Sequence, residues 1–134
     1  MQKLGESLVI NNRVAALPLI LGLTATVLAA PARANDVVTY EVVSDRIPQV
    51  NVEYVGATGR KLLESVPLPW RFDMTLDDAR GPTGVGAQVR ADWRPTAAPS
   101  RWVTVRIYSN GQLLCQTTID VGNATCYGNT PRLS

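Results

Sequence analysis

Two cysteines, Cys115 and Cys126, are the residues of this 134-residue chain whose type and spacing point to defined chemistry. In an exported chain, two cysteines indicate a structural disulfide. A redox dithiol would need a C-x-x-C spacing, and a chain without histidine has no imidazole to complete a zinc site. We therefore predict a Cys115–Cys126 disulfide, whose short loop contributes about 3 kcal/mol in the chain-entropy treatment.

Patterns typical of catalysis are weak. The absence of histidine excludes a Ser-His-Asp triad and a Cys-His pair. Asp77 and Asp78 could serve acid–base catalysis or bind Ca²⁺, but they stand beside Arg80 in a stretch typical of a solvated turn. The glycines of residues 81–86 lack the strand–loop–helix context of a phosphate-binding loop. We expect a protein that is not an enzyme, with no catalytic residue, metal site or cofactor.

Four aromatic residues are candidates for a ligand or partner surface, namely Trp102, Trp93, Trp70 and Tyr54. An exposed patch of tryptophan and tyrosine combines a large apolar area with a polar tip, which suits recognition. The alternative is that these residues are buried, which is the common fate of aromatic side chains. Trp70 and Trp93 lie on apolar faces of predicted strands, whereas Trp102 follows a connector and could cap the domain.

The N-terminal segment has the layout of an export signal. Lys3 and Arg13 precede an uncharged run over residues 14–30, and Ala32-Arg33-Ala34 forms a small-residue cleavage site. We predict a signal peptide over residues 1–34. The alternative is an uncleaved anchor that contacts the membrane through residues 8–30, although the uncharged run is short for a membrane span. Both interpretations predict an exported domain, secreted or on the periplasmic side of the cell envelope.

Residues 35–134 are expected to form one extracytoplasmic domain without net charge. Removing Lys3, Arg13, Arg33 and Glu6 from the 13 basic and 11 acidic residues of the chain leaves a net charge of zero. A neutral domain gives no electrostatic reason to expect binding to nucleic acid or to an anionic membrane surface.

Short runs of alternating apolar and polar residues predict the fold. The clearest run places Trp70, Phe72, Met74 and Leu76 on one face, which we expect to face the core. Further strand-like runs cover residues 37–43, 50–55, 60–66, 85–93, 103–108, 112–120 and 124–127. Seven or eight short strands without a helix predict an all-β fold, an antiparallel, immunoglobulin-like β-sandwich of about seven strands, with a small barrel as the alternative.

Asn110-Gly111 is the strongest turn signal, because both residues tolerate the positive φ that a two-residue hairpin loop needs. A regular hairpin would place Ile107 opposite Leu114. Cys115 would then lie on the face opposite to Ile107. Either a bulge shifts the second strand by one residue, or both faces of the hairpin are partly covered.

The ordered set of strand motifs resembles the MmpS family of small mycobacterial membrane proteins, of which this chain would be a divergent member. The motifs that carry the resemblance are Val38-Thr39-Tyr40-Glu41-Val42, Val52-Glu53-Tyr54, Leu68-Pro69-Trp70, Ala87-Gln88-Val89, Val105-Arg106-Ile107 and Ala124-Thr125-Cys126. In that family a cysteine usually opens the fifth motif, whereas here the first cysteine, Cys115, lies across the hairpin.

The resemblance implies a non-catalytic accessory protein that assists a large RND-type MmpL transporter in exporting siderophores or envelope lipids. No binding residue of the family carries over. Two alternatives remain. One is a secreted carrier that binds a lipid or siderophore between its sheets, suggested by the three tryptophans. The other is a general protein-interaction domain.

Overall fold

The computed structural model describes residues 35–131, which form eight β-strands. They are β1 (Asp36–Val43), β2 (Gln49–Gly56), β3 (Gly59–Pro67), β4 (Trp70–Leu76), β5 (Gln88–Asp92), β6 (Val103–Ser109), β7 (Gln112–Ile119) and β8 (Asn123–Tyr127). One 3-10 turn, Arg94–Thr96, follows β5. Within residues 35–131 no helix is long and apolar enough to span a bilayer. The predicted signal or anchor lies outside the described residues.

The strands form two antiparallel four-stranded sheets, in the orders β4-β1-β6-β7 (sheet A) and β3-β2-β5-β8 (sheet B). This arrangement confirms the predicted all-β sandwich, with eight strands instead of about seven. The strand predicted over residues 85–93 is shorter in the structure. It is β5, and Val85 lies outside it with 67% of its surface exposed.

The core consists of inward-facing side chains from the central strands of both sheets. Their alternation follows the two-residue period of a strand, in which every second side chain faces the same side. Nine of these side chains are completely buried, namely Val38, Tyr40, Val42, Val52, Val89, Ala91, Val103, Val105 and Ile107.

Tyr40 links the two sheets through its hydroxyl group. This hydroxyl donates a hydrogen bond of 2.7 Å to the carbonyl of Val55 and accepts one of 3.3 Å from the N–H of Gln88. Tyr40 belongs to sheet A, whereas Val55 and Gln88 belong to sheet B. Burial disfavours the phenolate and raises the pKa of Tyr40 to about 12.

A bulge in β7 resolves the register of the hairpin. Tyr108 pairs with Leu113 but Ile107 pairs with Cys115, so Leu114 is the extra residue. Of the two alternatives that the sequence left open, the bulge is the one that the structure contains. The shift places Cys115 directly opposite Ile107, which is fully buried.

The disulfide joins Cys115 of β7 to Cys126 of β8, with 5.7 Å between the Cα atoms. These strands are edge strands of different sheets, so the bond ties the sheets together along one side of the sandwich. We call this side, formed by β7 and β8, the closed edge. The other two edge strands, β3 and β4, form the open edge.

The prediction that one face of β4 lies entirely in the core is only partly right. Leu76 is buried and Trp70 and Met74 are half-buried, but Phe72 is 39% exposed. The reason is that β4 is an edge strand and that β3, on the same side of the sandwich, covers it poorly. Every residue of β3 except Val66 is exposed.

The outer face of sheet A carries a row of polar side chains that crosses all four strands. Glu41 accepts hydrogen bonds from Arg106 (2.9 Å) and Arg71 (3.3 Å), and Arg106 also donates to Gln116 (2.6 Å). The row runs through directly paired residues of β4, β1, β6 and β7. It gives sheet A a solvent-facing surface of matched charges.

Removal of the disulfide by the double substitution C115A/C126A is expected to lower the free energy of unfolding by about 3 kcal/mol, because the unfolded chain without the cross-link has more conformational entropy. Urea unfolding of both proteins measures this difference. The control is Val121→Ala, at a side chain that is 63% exposed. Equal stability of the double variant and the wild type would contradict the closing role of the disulfide.

Tyr40→Phe is expected to destabilise the fold by about 1–3 kcal/mol at neutral pH, because it leaves the Val55 carbonyl and the Gln88 N–H unpaired. Between pH 10 and pH 12 the unfolded chain ionises Tyr40 while the folded protein keeps the proton, so wild-type stability falls by up to about 1.4 kcal/mol per pH unit.

Urea unfolding across this pH range measures the effect. The free energy of unfolding should decrease less steeply with pH in Tyr40→Phe than in the wild type. The control is Tyr127→Phe, at a ring that is 38% exposed. The same alkaline slope in Tyr40→Phe and in the wild type would contradict the assignment to Tyr40.

Candidate interaction surfaces

The four aromatic residues singled out from the sequence lie in three different environments. Trp93 is 2% exposed and belongs to the core, while Trp102 is 51% exposed. Tyr54 of β2 is 9% exposed, and Trp70 of the open-edge strand β4 is half-buried. The structure therefore brings only Tyr54 and Trp70 together.

Tyr54 and Trp70 form an aromatic cluster with Phe72. The ring centroids of Tyr54 lie 5.3 Å from Phe72 and 6.0 Å from Trp70, and the rings of Trp70 and Phe72 are nearly parallel at 6.1 Å. The alternation of β4 predicts Phe72 in the core, because a strand pattern does not distinguish an edge strand from a central one. We call Tyr54, Trp70 and Phe72 the aromatic edge.

Trp93 fills the sandwich below the 3-10 turn. Its backbone N–H donates a hydrogen bond of 2.7 Å to the carbonyl of Gly122. Its buried indole N–H has no hydrogen-bond partner among the described residues. With 2% of its surface exposed, Trp93 belongs to the core.

A hydrogen bond to its backbone carbonyl holds Trp102 in place. Its carbonyl accepts a 2.6 Å hydrogen bond from the hydroxyl of Ser44, and the same hydroxyl accepts from the N–H groups of Arg46 and Ile47. Ile47 is 1% exposed, so this loop is pinned to the core. The exposed indole thus projects from a fixed backbone.

The surroundings of Trp102 are polar and open. Asp45, Arg46, Ser100 and Trp102 line an open pocket of about 310 Å³. Ser100 has a φ of 67° and donates its N–H to Asp120 at 2.9 Å, which ties the Trp102 connector to the loop after β7. We call these four lining residues the Trp102 end.

The Trp102 end lies at the end of the sandwich opposite to the start of β1. Strand β1 ends at Val43, next to Ser44, and β6 begins at Val103, next to Trp102. At the far end, the N–H of Val37 donates to the side chain of Asn110 in the hairpin turn (2.9 Å). The chain therefore enters the sandwich about one strand length, roughly 25 Å, from Trp102.

A charged pair flanks the start of the same connector. Burial alone would raise the pKa of Asp92, but hydrogen bonds and charge from Arg94, with charge from Arg90, hold it below its usual value. The Nη2 of Arg94 lies 2.7 Å from Asp92 Oδ2. Asp92 is thus held as a charged structural partner of Arg94.

Asp77 and Asp78, the carboxylates considered for catalysis or Ca²⁺ binding, lie in the loop after β4 and not at these surfaces. The N–H of Arg80 donates to Asp78 Oδ1 at 3.1 Å, a local bond typical of a turn. Within residues 35–131 no three His, Cys, Asp or Glu side chains are grouped closely enough to hold a metal ion.

Trp93→Ala and Trp102→Ala should differ strongly in stability. We expect Trp93→Ala to cost about 3–5 kcal/mol, because it empties a large core site, and Trp102→Ala to cost less than about 1 kcal/mol, since half of the side chain is already exposed. Urea unfolding measures both values. Similar losses for the two variants would contradict the assignment of Trp93 to the core and Trp102 to the surface.

No model of a known protein family matches this chain, and no curated protein matches it. The resemblance to the MmpS family stays a prediction that rests on the strand motifs.

Proposed function

We propose that this chain is a non-catalytic accessory domain of the cell envelope that binds another envelope protein through the Trp102 end. The observation that carries the proposal is the half-exposed Trp102 on a fixed backbone. Tryptophan is among the residues that contribute most to protein interfaces, where it inserts into a pocket of the partner. A fixed backbone lowers the entropic cost of forming such a contact.

The residues around Trp102 fit the rim of an interface. Asp45, Arg46 and Arg101 are exposed, and they place both signs of charge beside the indole ring. Charged residues at the rim favour correct orientation and association rate more than affinity. A contact centred on Trp102 would therefore take most of its affinity from the indole and its selectivity from these charges.

The resemblance to the MmpS family supplies the partner in this proposal, a large RND-type transporter of the MmpL class. The disulfide is compatible with an oxidising, exported location, where the extracytoplasmic part of such a transporter lies. A sandwich of fixed shape would then serve as a docking module beside the transporter.

The carrier alternative has less support from the geometry. The space between the sheets is filled by large side chains, and Trp93, Tyr40 and Ile47 are at most 2% exposed. A ligand between the sheets would have to displace these side chains. A role in protein binding needs no such rearrangement.

Site-specific photo-crosslinking in cells tests the partner. A benzophenone amino acid replaces Trp102 in the full chain, and cross-linked proteins are identified by mass spectrometry. We expect one dominant product that contains a large RND-type transporter. The matched control carries the same amino acid at Val85, which is 67% exposed and lies in a loop at the other end of the sandwich. An identical set of products from both positions would contradict the proposal.

Binding of the purified full chain to that transporter is expected to weaken at least tenfold in Trp102→Ala, since a central tryptophan is typically worth about 2 kcal/mol or more. Val85→Ala should leave the affinity unchanged. The measurement is a titration in detergent solution. An unchanged affinity for Trp102→Ala would show that the indole is not the anchor.

A further inference from the structure

One side of β4 faces β1, and its outer side faces away from the sheet. The N–H of Asn110 donates to the carbonyl of Val37, so Val37 points its backbone groups toward β6. Backbone groups alternate sides along a strand, so Tyr40 points toward β4, where its partner is Phe72. The residues on either side of Phe72, Arg71 and Asp73, therefore point their N–H and C=O groups away from β1. Among the described residues no strand pairs with this side.

Strand β4 lacks several of the features that usually protect a sheet edge. It pairs with β1 through seven consecutive residues without a register shift, and it contains no proline, glycine or lysine. The other strand of the open edge is protected. The register of β3 with β2 is broken by a bulge, Ser65 has a φ of 54°, and Lys61 and Pro67 lie within the strand. Regular unprotected edges are the ones that pair with further strands.

The side chains of β4 are complementary to a second copy of the same strand. In an antiparallel pair with Phe72 opposite Phe72, Arg71 lies opposite Asp73 twice and Trp70 lies opposite Met74 twice. The outward-facing pairs join opposite charges, and the inward-facing pairs join apolar side chains. A pair centred on Asp73 would oppose two carboxylates, and a pair centred on Arg71 would oppose two guanidinium groups.

The hydrogen-bonding pattern fits the same register. Directly opposite residues of antiparallel strands alternate between hydrogen-bonded and non-hydrogen-bonded pairs. Arg71 and Asp73 point their backbone groups outward, so they would form the hydrogen-bonded pairs, and the two Phe72 residues would form the closer, non-hydrogen-bonded pair. This pair would cover the ring of Phe72, which is 39% exposed in the single chain.

We propose that two copies of this chain pair through β4, with Phe72 at the twofold axis, and form one continuous eight-stranded sheet. The polar row on sheet A then runs across the junction, because Arg71 is already bound to Glu41 and Asp73 to Thr39 (2.7 Å). The aromatic edges of the two copies meet on the inner side. The proposal does not use the Trp102 end and does not rest on the proposed function.

Cysteine cross-linking of the full chain in its membrane or secreted form tests this contact. Phe72→Cys should give a disulfide-linked dimer on a non-reducing gel, because the cysteines at the twofold axis lie within bonding distance. The matched control is Leu62→Cys, which is 62% exposed and lies on the other strand of the open edge. Equal dimer yields for the two variants would overturn the proposal.

Charge exchange provides the second test. Sedimentation of the full chain in detergent measures the dissociation of the dimer. Arg71→Asp alone opposes carboxylates twice across the axis, and Asp73→Arg alone opposes guanidinium groups twice. Each should weaken the dimer at least tenfold. An equimolar mixture of the two variants should restore it as a heterodimer, because every opposed pair is again complementary. If the mixture associates no better than either variant alone, the proposed register is wrong.

Discussion

The buried apolar side chains of the core hold the inner faces of the two sheets together, and in this chain two further links join the sheets. The disulfide joins the edge strands β7 and β8, and the hydroxyl of Tyr40 joins the two sheets in the interior. The bulge at Leu114 is what allows the first of these, because it brings Cys115 opposite buried Ile107. The disulfide therefore links the two sheets along the closed edge, whereas no disulfide joins β3 to β4 along the open edge.

Local patterns of the sequence predict much of this fold. The alternation along β1, β2 and β6 and the turn at Asn110-Gly111 predict strands and a hairpin, and the cysteine pair predicts the disulfide. These signals depend only on neighbours along the chain. The order of strands in a sheet cannot be predicted from such local signals, since it is set by contacts between distant segments. The exposure of Phe72 follows from that order, which explains why the alternation of β4 by itself predicts a core face.

The candidate surfaces were predictable to a lesser degree. Four aromatic residues were identified from their type, but only the tertiary structure separates buried Trp93 from exposed Trp102. The exposure of Trp102 depends on the Ser44 hydroxyl that holds its carbonyl, a contact across 58 residues of sequence. The sequence carries no signal for the exposure of Phe72, because alternation does not show that β4 is an edge strand. The result is a neutral sandwich with two separate apolar features, one at an end and one along an edge.

The central claim is that the sandwich is closed at the disulfide and open along β4. Residue-resolved hydrogen exchange on dilute full-length chain tests it most directly, because amides bonded to β1 exchange slowly and amides at a free edge exchange fast. The account predicts slow exchange at Phe72 and Met74 and fast exchange at Arg71 and Asp73. Slow exchange at all four amides in dilute solution would contradict it, because another segment of the chain would then already occupy the edge.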